Sequence, residues 1–513
     1  MLRLLYIVLL GVLAMPLRGQ ETVDLTGTWD VSQGDSLHYD DYLVLPGSLE
    51  TGGKAGGRTA AVTWYRREVY VPQGWHGQRV SLFLERPLGE TTVFVNGIKA
   101  GRQSSLFTPH QYTVSPCIKY GTRNRIEVCV ADTLATVAHG LTGRLELRMQ
   151  PSDQYVRQVR LYPLPFQGTV LVDLTLGGRV GYFSRAVVGV LVQRIDKDST
   201  DVYERFFEVD KEHAVLQVEV GNWVALWDEF HPNRYRLAVM VGGDYYETTF
   251  GMYDLLQRPG QLMTNHRPLY LRGITDQGHF PKTGYAPTDE DFWRRRLQPL
   301  KDGGINYVRF DGYCPPEAAF SVADALGLML QPGLPSGTDT GEAKRVENAF
   351  ANHPSYVDRL DSCLIEIPRQ TDYKTAVEQA LSDTTHTGFL LTAAADSLMK
   401  VDGWKEYCNA IVPLAQLPKT HYAAGDTLTV PIAAYNAYYG DLERMHTTYF
   451  IHDDSMRVIA GGQIAYDKLP IGQNVPIGSI ALPLTNVPHP CRLTLVVQIA
   501  GRFKNRWEFW VDE

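Results

Sequence analysis

The chain has 513 residues and a formal net charge of −8; it is 44% apolar and 21% charged. That length predicts three or four domains, and the composition is that of an ordinary globular protein. The acidic balance argues against a nucleic-acid or anionic-membrane partner, since both require a basic face.

Residues 1–20, MLRLLYIVLLGVLAMPLRGQ, carry Arg3 ahead of an apolar run from Leu4 to Met15. This pattern predicts a cleaved secretory signal peptide, too short to span a bilayer. No cysteine lies near the expected cut and no later stretch is apolar enough to cross a membrane. The expectation is an exported protein, periplasmic or secreted, without a membrane anchor. Residues 21–150 contain alternating runs at Arg67–Val71, Val80–Leu84, Thr92–Val95 and Arg125–Val130, broken by Pro72-Gln73-Gly74, Asn96-Gly97 and Tyr120-Gly121. Such punctuation predicts an antiparallel jelly-roll sandwich. Trp64 and Tyr65 are both expected in its core. Residues 151–257 continue as short strands and predict an immunoglobulin-like sandwich.

From residue 258 the pattern changes to alternating strands and helices, which predicts parallel strands. Strand Leu269–Arg272 is followed by a helix over Asp289–Lys301 with Thr288 as cap. Strand Ile305–Phe310, a helix opened by Pro315-Pro316 and strand Leu328–Gln331 come next. This is the opening of a (β/α)8 barrel. A complete barrel takes roughly 250 residues, yet only 80 separate Gly337 from Leu417, where short strands resume. The domains expected are therefore 21–150, 151–257, a truncated barrel-like domain at 258–417 and a second immunoglobulin-like sandwich at 418–513.

Six cysteines (Cys117, Cys129, Cys314, Cys363, Cys408, Cys491) show no CxxC spacing. Neither a metal nor a redox motif is predicted, and no cofactor. Cys117 and Cys129 could pair or remain buried thiols. The 28 Tyr and 9 Trp suit carbohydrate stacking and β-sandwich cores equally.

The motifs resemble those of glycoside hydrolase family 2, the β-galactosidases, β-glucuronidases and β-mannosidases. In the first domain these are LPGSLETGG (45–53), VFVNGIKAGRQSSLFTPHQYTV (93–114) and GRLELR (143–148). In the second they are LWDEFHPNRYRL (226–237) and TFGMYDL (249–255). The barrel block contributes RG (272–273), TGYAPTD (283–289), VRF (308–310), CPPEAAF (314–320), ADALGL (323–328) and NHPS (352–355), with WKEYCNAIVPLAQLPK (404–419) as last helix and exit. The resemblance implies a carbohydrate partner, a β-linked glycan. It also implies a retaining mechanism, in which two carboxylates about 5–5.5 Å apart act as acid/base and nucleophile.

The catalytic positions depart from that pattern. The resemblance puts the acid/base in an Asn-Glu pair after NHPS, where this chain has Cys363-Leu364. The nucleophile belongs to a later strand; CLIEIPRQ (363–370) is faintly similar to it and makes Glu366 the candidate. Arg309 would support the active-site carboxylates. Asp311 and Tyr313 stand in a stretch, Asp311-Gly312-Tyr313, that replaces the family's His-Ser-Trp. His279, in the loop after the first strand, could touch a sugar hydroxyl. Glu317, Trp293 and His353 read as structural. Three readings follow: a catalytically impaired glycan binder, an active retaining β-glycosidase using Glu366, or a structural subunit. In the last, the unpaired edges of a half-barrel would invite homo-oligomers.

Overall fold

The computed structural model describes residues 21–512 apart from 35, 37, 55–61, 132–139, 152, 196–201, 222, 259, 339, 361–363, 369–371, 384 and 395–397. The leader expected at 1–20 and Cys363 lie outside the described residues. The first domain is a jelly roll of a five-stranded and a six-stranded sheet. Its core holds Trp29, Tyr65, Val93 and Leu147. Trp64 corrects the expectation made for it. Neighbouring residues on a strand point to opposite faces, so with Tyr65 in the core Trp64 turns outward against Phe94, ring centroids 5.7 Å apart. The second domain packs a three-stranded sheet on a four-stranded one, around Val172, Val190, Leu237 and Val239. The five described cysteines, Cys117 and Cys129 among them, are free thiols.

The third domain alternates β1 (Leu271–Asp276), α1 (Glu290–Asp302), β2 (Tyr307–Phe310), α2 (Glu317–Leu326), β3 (Met329–Gln331), α3 (Thr340–Phe350), β4 (Ile365–Ile367), α4 (Tyr373–Ser382), β5 (Gly388–Ala394) and α5 (Trp404–Tyr407). The helices form where the sequence supplies caps and an apolar stripe. Asp289, not Thr288, caps α1: its Oδ1 accepts from Phe292 N at 2.8 Å. Trp293, Leu297 and Leu300, spaced four and three residues apart, are buried along one face. α2 ends at Gly327, whose φ of 69° is the left-handed cap that glycine adopts without strain.

The five strands are all parallel, in the order β3-β2-β1-β5-β4. The last strand, β5, thus lies beside the first, as it does in a closed barrel, and β4 takes the penultimate place. At the other edge Leu330 N donates to Ser355 O (2.7 Å) and Val357 N to Leu330 O (3.1 Å). Residues 355–357 therefore begin a fourth strand beside β3 and cover that edge. The chain then passes directly to β4. Val357 and Leu360 bury themselves with Tyr307, Met329 and Leu390 and form the barrel floor with Trp227 of the second domain. The strands that would lie between are absent from the order, which accounts for the short sequence.

The flanking domains are fastened to this sheet through buried polar groups. Glu342 in α3 accepts from Ser105 Oγ (2.9 Å), Leu106 N (2.9 Å) and Phe107 N (3.1 Å) of the first domain. Asn352 of NHPS accepts from Leu161 N and donates to Val159 O in the second. Helix α5 is one turn long, and Ile411–Ala415 pairs with Thr427–Asn436 of the last sandwich. That sandwich therefore begins before residue 418. β-Branched Ile411 and Val412, with Pro413, fit an edge strand better than a continued helix.

Candidate functional site

Alternation along the strands decides which side chains reach the barrel interior. On β1, Ile274 packs toward the helices while Leu271 joins the floor. Gly273 and Thr275 therefore share the interior face. Only glycine fits at 273: a Cβ there would stand 2.7 Å from the Tyr307 ring and 3.0 Å from Leu390. β2 presents Tyr307 and Arg309, β3 Met329 and Gln331, β5 Leu390 and β4 Glu366. Register sets Thr275, Arg309 and Gln331 at one level near the C-terminal ends, where barrel enzymes build their sites.

At this level Arg309 Nη1 meets Glu366 Oε1 at 2.7 Å. Their strands are three spacings apart, about 14 Å on a flat sheet. The contact requires the sheet to curl as a barrel does, so the pair spans the mouth. The Gln331 carbonyl accepts from Tyr307 Oη (2.8 Å) and from Leu360 N (2.9 Å), tying the crossing segment to the wall. Thr275 Oγ1 is buried without a hydrogen-bond partner. Among the described residues of the five strands, Glu366 is the sole carboxylate on the interior face. Leu364, the position of the expected acid/base, packs against the apolar floor.

The remaining candidates sit outside this mouth. Asp276, at the end of β1, points to the helix side and is fully occupied. It accepts from Arg296 Nε (2.6 Å) and Nη2 (3.0 Å), Gly278 N (2.9 Å) and Tyr313 Oη (2.9 Å). Tyr313 is held there between Phe280 and Phe310, and burial together with Asp276 raises its pKa well above the usual phenol range. It packs rather than facing the mouth. His279 and Asp311 are exposed on the loops after β1 and β2. Trp293 is buried and donates to Pro287 O, and His353 pairs with Asp324 at 2.7 Å. Gln331 ends a strand that the sequence located, whereas Thr275 lies beyond the expected Leu269–Arg272, in a strand that runs to Asp276.

A mouth so built offers one guanidinium and one carboxylate, already paired with each other, and the half-buried Thr392 hydroxyl, which donates to Ile367 O at 3.3 Å. It can hydrogen-bond a polyhydroxylated ligand. Retaining hydrolysis needs a second carboxylate about 5–5.5 Å from the first, and the described strands bring none to the interior.

Four packed units, jelly roll, immunoglobulin-like sandwich, shortened barrel and terminal sandwich, define a multidomain protein of glycosidase architecture. The chain is 24% identical over 307 residues to a β-galactosidase of Thermoanaerobacter pseudethanolicus, covering 55% of this chain and 40% of that one. It is 21% identical over 346 residues to a β-glucuronidase of Streptococcus agalactiae, covering 62% and 57%. The chain thus spans about half the length of the curated relatives it matches. The β-D-glucuronidase structure from Dictyoglomus thermophilum superposes with a TM-score of 0.55 at 16% identity, over 74% of this chain and 73% of that one. A domain family of unknown function (DUF8488) matches residues 426–512. The chain is thus similar to these β-galactosidases and β-glucuronidases in sequence and fold, with a shortened barrel.

Proposed function

We propose that the protein is an exported, carbohydrate-directed member of this architecture that holds β-linked glycans at the barrel mouth without hydrolysing them. One observation carries the reading: among the described strand residues the interior face presents a single carboxylate, and Arg309 already pairs with it. Leu364, which aligns with the expected acid/base, packs into the apolar floor, and residues 355–357 make a single parallel bridge to β3. Without an acid the leaving-group oxygen has no proton, and without a second carboxylate the oxocarbenium-like transition state has no opposing pair. What remains is hydrogen-bonding chemistry suited to sugar hydroxyls. Calorimetric titration of the protein with β-linked oligosaccharides tests this. Binding weakened by Arg309→Ala is expected. Binding that Arg309→Ala leaves unchanged would place the ligand elsewhere.

A second reading, an active retaining glycosidase with Glu366 as nucleophile, draws on one feature. β4 occupies the penultimate place in the barrel and points Glu366 at Arg309. It requires an acid that the described strands do not supply, so it ranks below the first.

A further inference from the structure

A cleft of about 940 Å³ separates α4 and α5 from the terminal sandwich, walled by residues 414–417 and by strand Phe503–Asp512. That volume is typical of small-ligand sites. The wall carries many charged side chains over an apolar base, and several of these charges are tied internally. Glu378 accepts from Lys374 (2.5 Å), Asn505 Nδ2 (2.7 Å) and Trp507 Nε1 (3.2 Å). Arg506 spans Asp402 (2.8 Å) and Glu406 (3.2 Å). Around the cleft six carboxylates face two cations, a field that repels anionic ligands. Glu378, Asp402 and Glu406 already hold cations of the chain, so their spare lone pairs suit hydroxyl donors better than another charge. Gln379 and Gln416 add amides that both donate and accept. Lys374 Nζ lies 4.6 Å from the Trp507 ring centre, so recognition here would rest on hydrogen bonds rather than stacking.

A second observation comes from Tyr407, which also walls the cleft. The residue is 3% exposed, and its hydroxyl is buried with no hydrogen-bond partner. Burial raises its pKa, and Asp372, Tyr373 and Glu378 lie close enough to raise it further. A buried hydroxyl without a partner is costly and uncommon in native folds. Among the residues that line the cleft, Tyr407 alone carries such a group.

We propose that this cleft is a second glycan site, which binds a neutral oligosaccharide whose hydroxyls bridge Tyr407, Gln379, Gln416 and the carboxylate wall. The proposal does not depend on the reading of the barrel mouth. Titration calorimetry of the full chain with the neutral β-linked tetrasaccharides of glucose, mannose, galactose and xylose tests it. Tyr407→Phe, and separately Gln379→Ala with Gln416→Ala, should each weaken one of these saccharides about tenfold. Arg309→Met should leave that site intact. The melting temperature of Tyr407→Phe should be no lower than the parent's, since the hydroxyl removed had no partner. The proposal falls if no tetrasaccharide binds, if the cleft variants bind as the parent does, or if oligolysine binds in preference. Binding abolished by Arg309→Met alone would sink the cleft and leave the mouth reading standing.

Discussion

Truncating Glu342 should loosen the first domain from the barrel. Its side chain is 1% exposed, and one oxygen gathers Ser105 Oγ, Leu106 N and Phe107 N. Arg345 pairs with the other oxygen at 2.8 Å. In Glu342→Ala the Ser105 hydroxyl keeps Thr108 as partner, but both amides are left buried and unpaired. At about 1–3 kcal/mol for each orphaned donor the sum is about 2–6 kcal/mol. The lower half of that range is expected, because the vacated carboxylate volume can admit a water. Glu342→Gln keeps an acceptor at the same place but makes it neutral, and should cost about 1–2 kcal/mol. Chemical denaturation measures both, and hydrogen exchange at Leu106 and Phe107 locates the effect. Stability of Glu342→Ala within about 0.5 kcal/mol of the parent, with those amides still protected, would refute the reasoning, since surface substitutions behave so.

Other predictions follow from the same contacts. Burial works against the His353 cation, but the Asp324 carboxylate outweighs it and raises the pKa. A raised folded pKa contributes stability that is complete below the unfolded value of about 6.5 and is lost as pH climbs through the folded value. The stability difference between parent and His353→Gln should therefore shrink as pH rises above about 6.5, and a difference that grows would contradict the pairing. Gly327→Ala should destabilise by about 1–3 kcal/mol, since φ is 69° and the new Cβ would stand 2.8 Å from Asp228 O and Glu229 Cα; thermal unfolding reads this. The Arg309–Glu366 pair is open to solvent, its side chains 22% and 57% exposed. Arg309→Met should accordingly cost under about 1 kcal/mol in denaturant unfolding, and a larger loss would make Arg309 a structural residue.

Much of the architecture is legible in the sequence because its signals are local. Turn residues and alternation mark the sandwiches, and the switch from period two to helical spacing marks the barrel. The errors arise where two adjacent residues compete for one role. Trp64 and Tyr65 cannot both face one core, and Thr288 and Asp289 are both competent caps that only backbone geometry separates. The site is less legible because it depends on contacts distant in sequence. The pairing of Glu366 with Arg309, 57 residues apart, exists only because β4 lies beside β5. That placement follows from the missing strands, which no local pattern reports. Asn352 reads as part of a framework motif, and its role in gripping Val159 and Leu161 requires the docked second domain. Thr275 and Gln331 look like ordinary strand ends until register aligns them with Arg309.

The central proposal is that the shortened barrel does not bring together the carboxylate pair that retaining hydrolysis needs. The release of nitrophenol from aryl β-galactosides, β-glucuronides and β-mannosides tests it most directly, with the parent and Glu366→Gln measured side by side at high protein concentration. The account predicts no release from the parent above the level of Glu366→Gln. Turnover by the parent that Glu366→Gln abolishes would contradict it and make Glu366 a nucleophile.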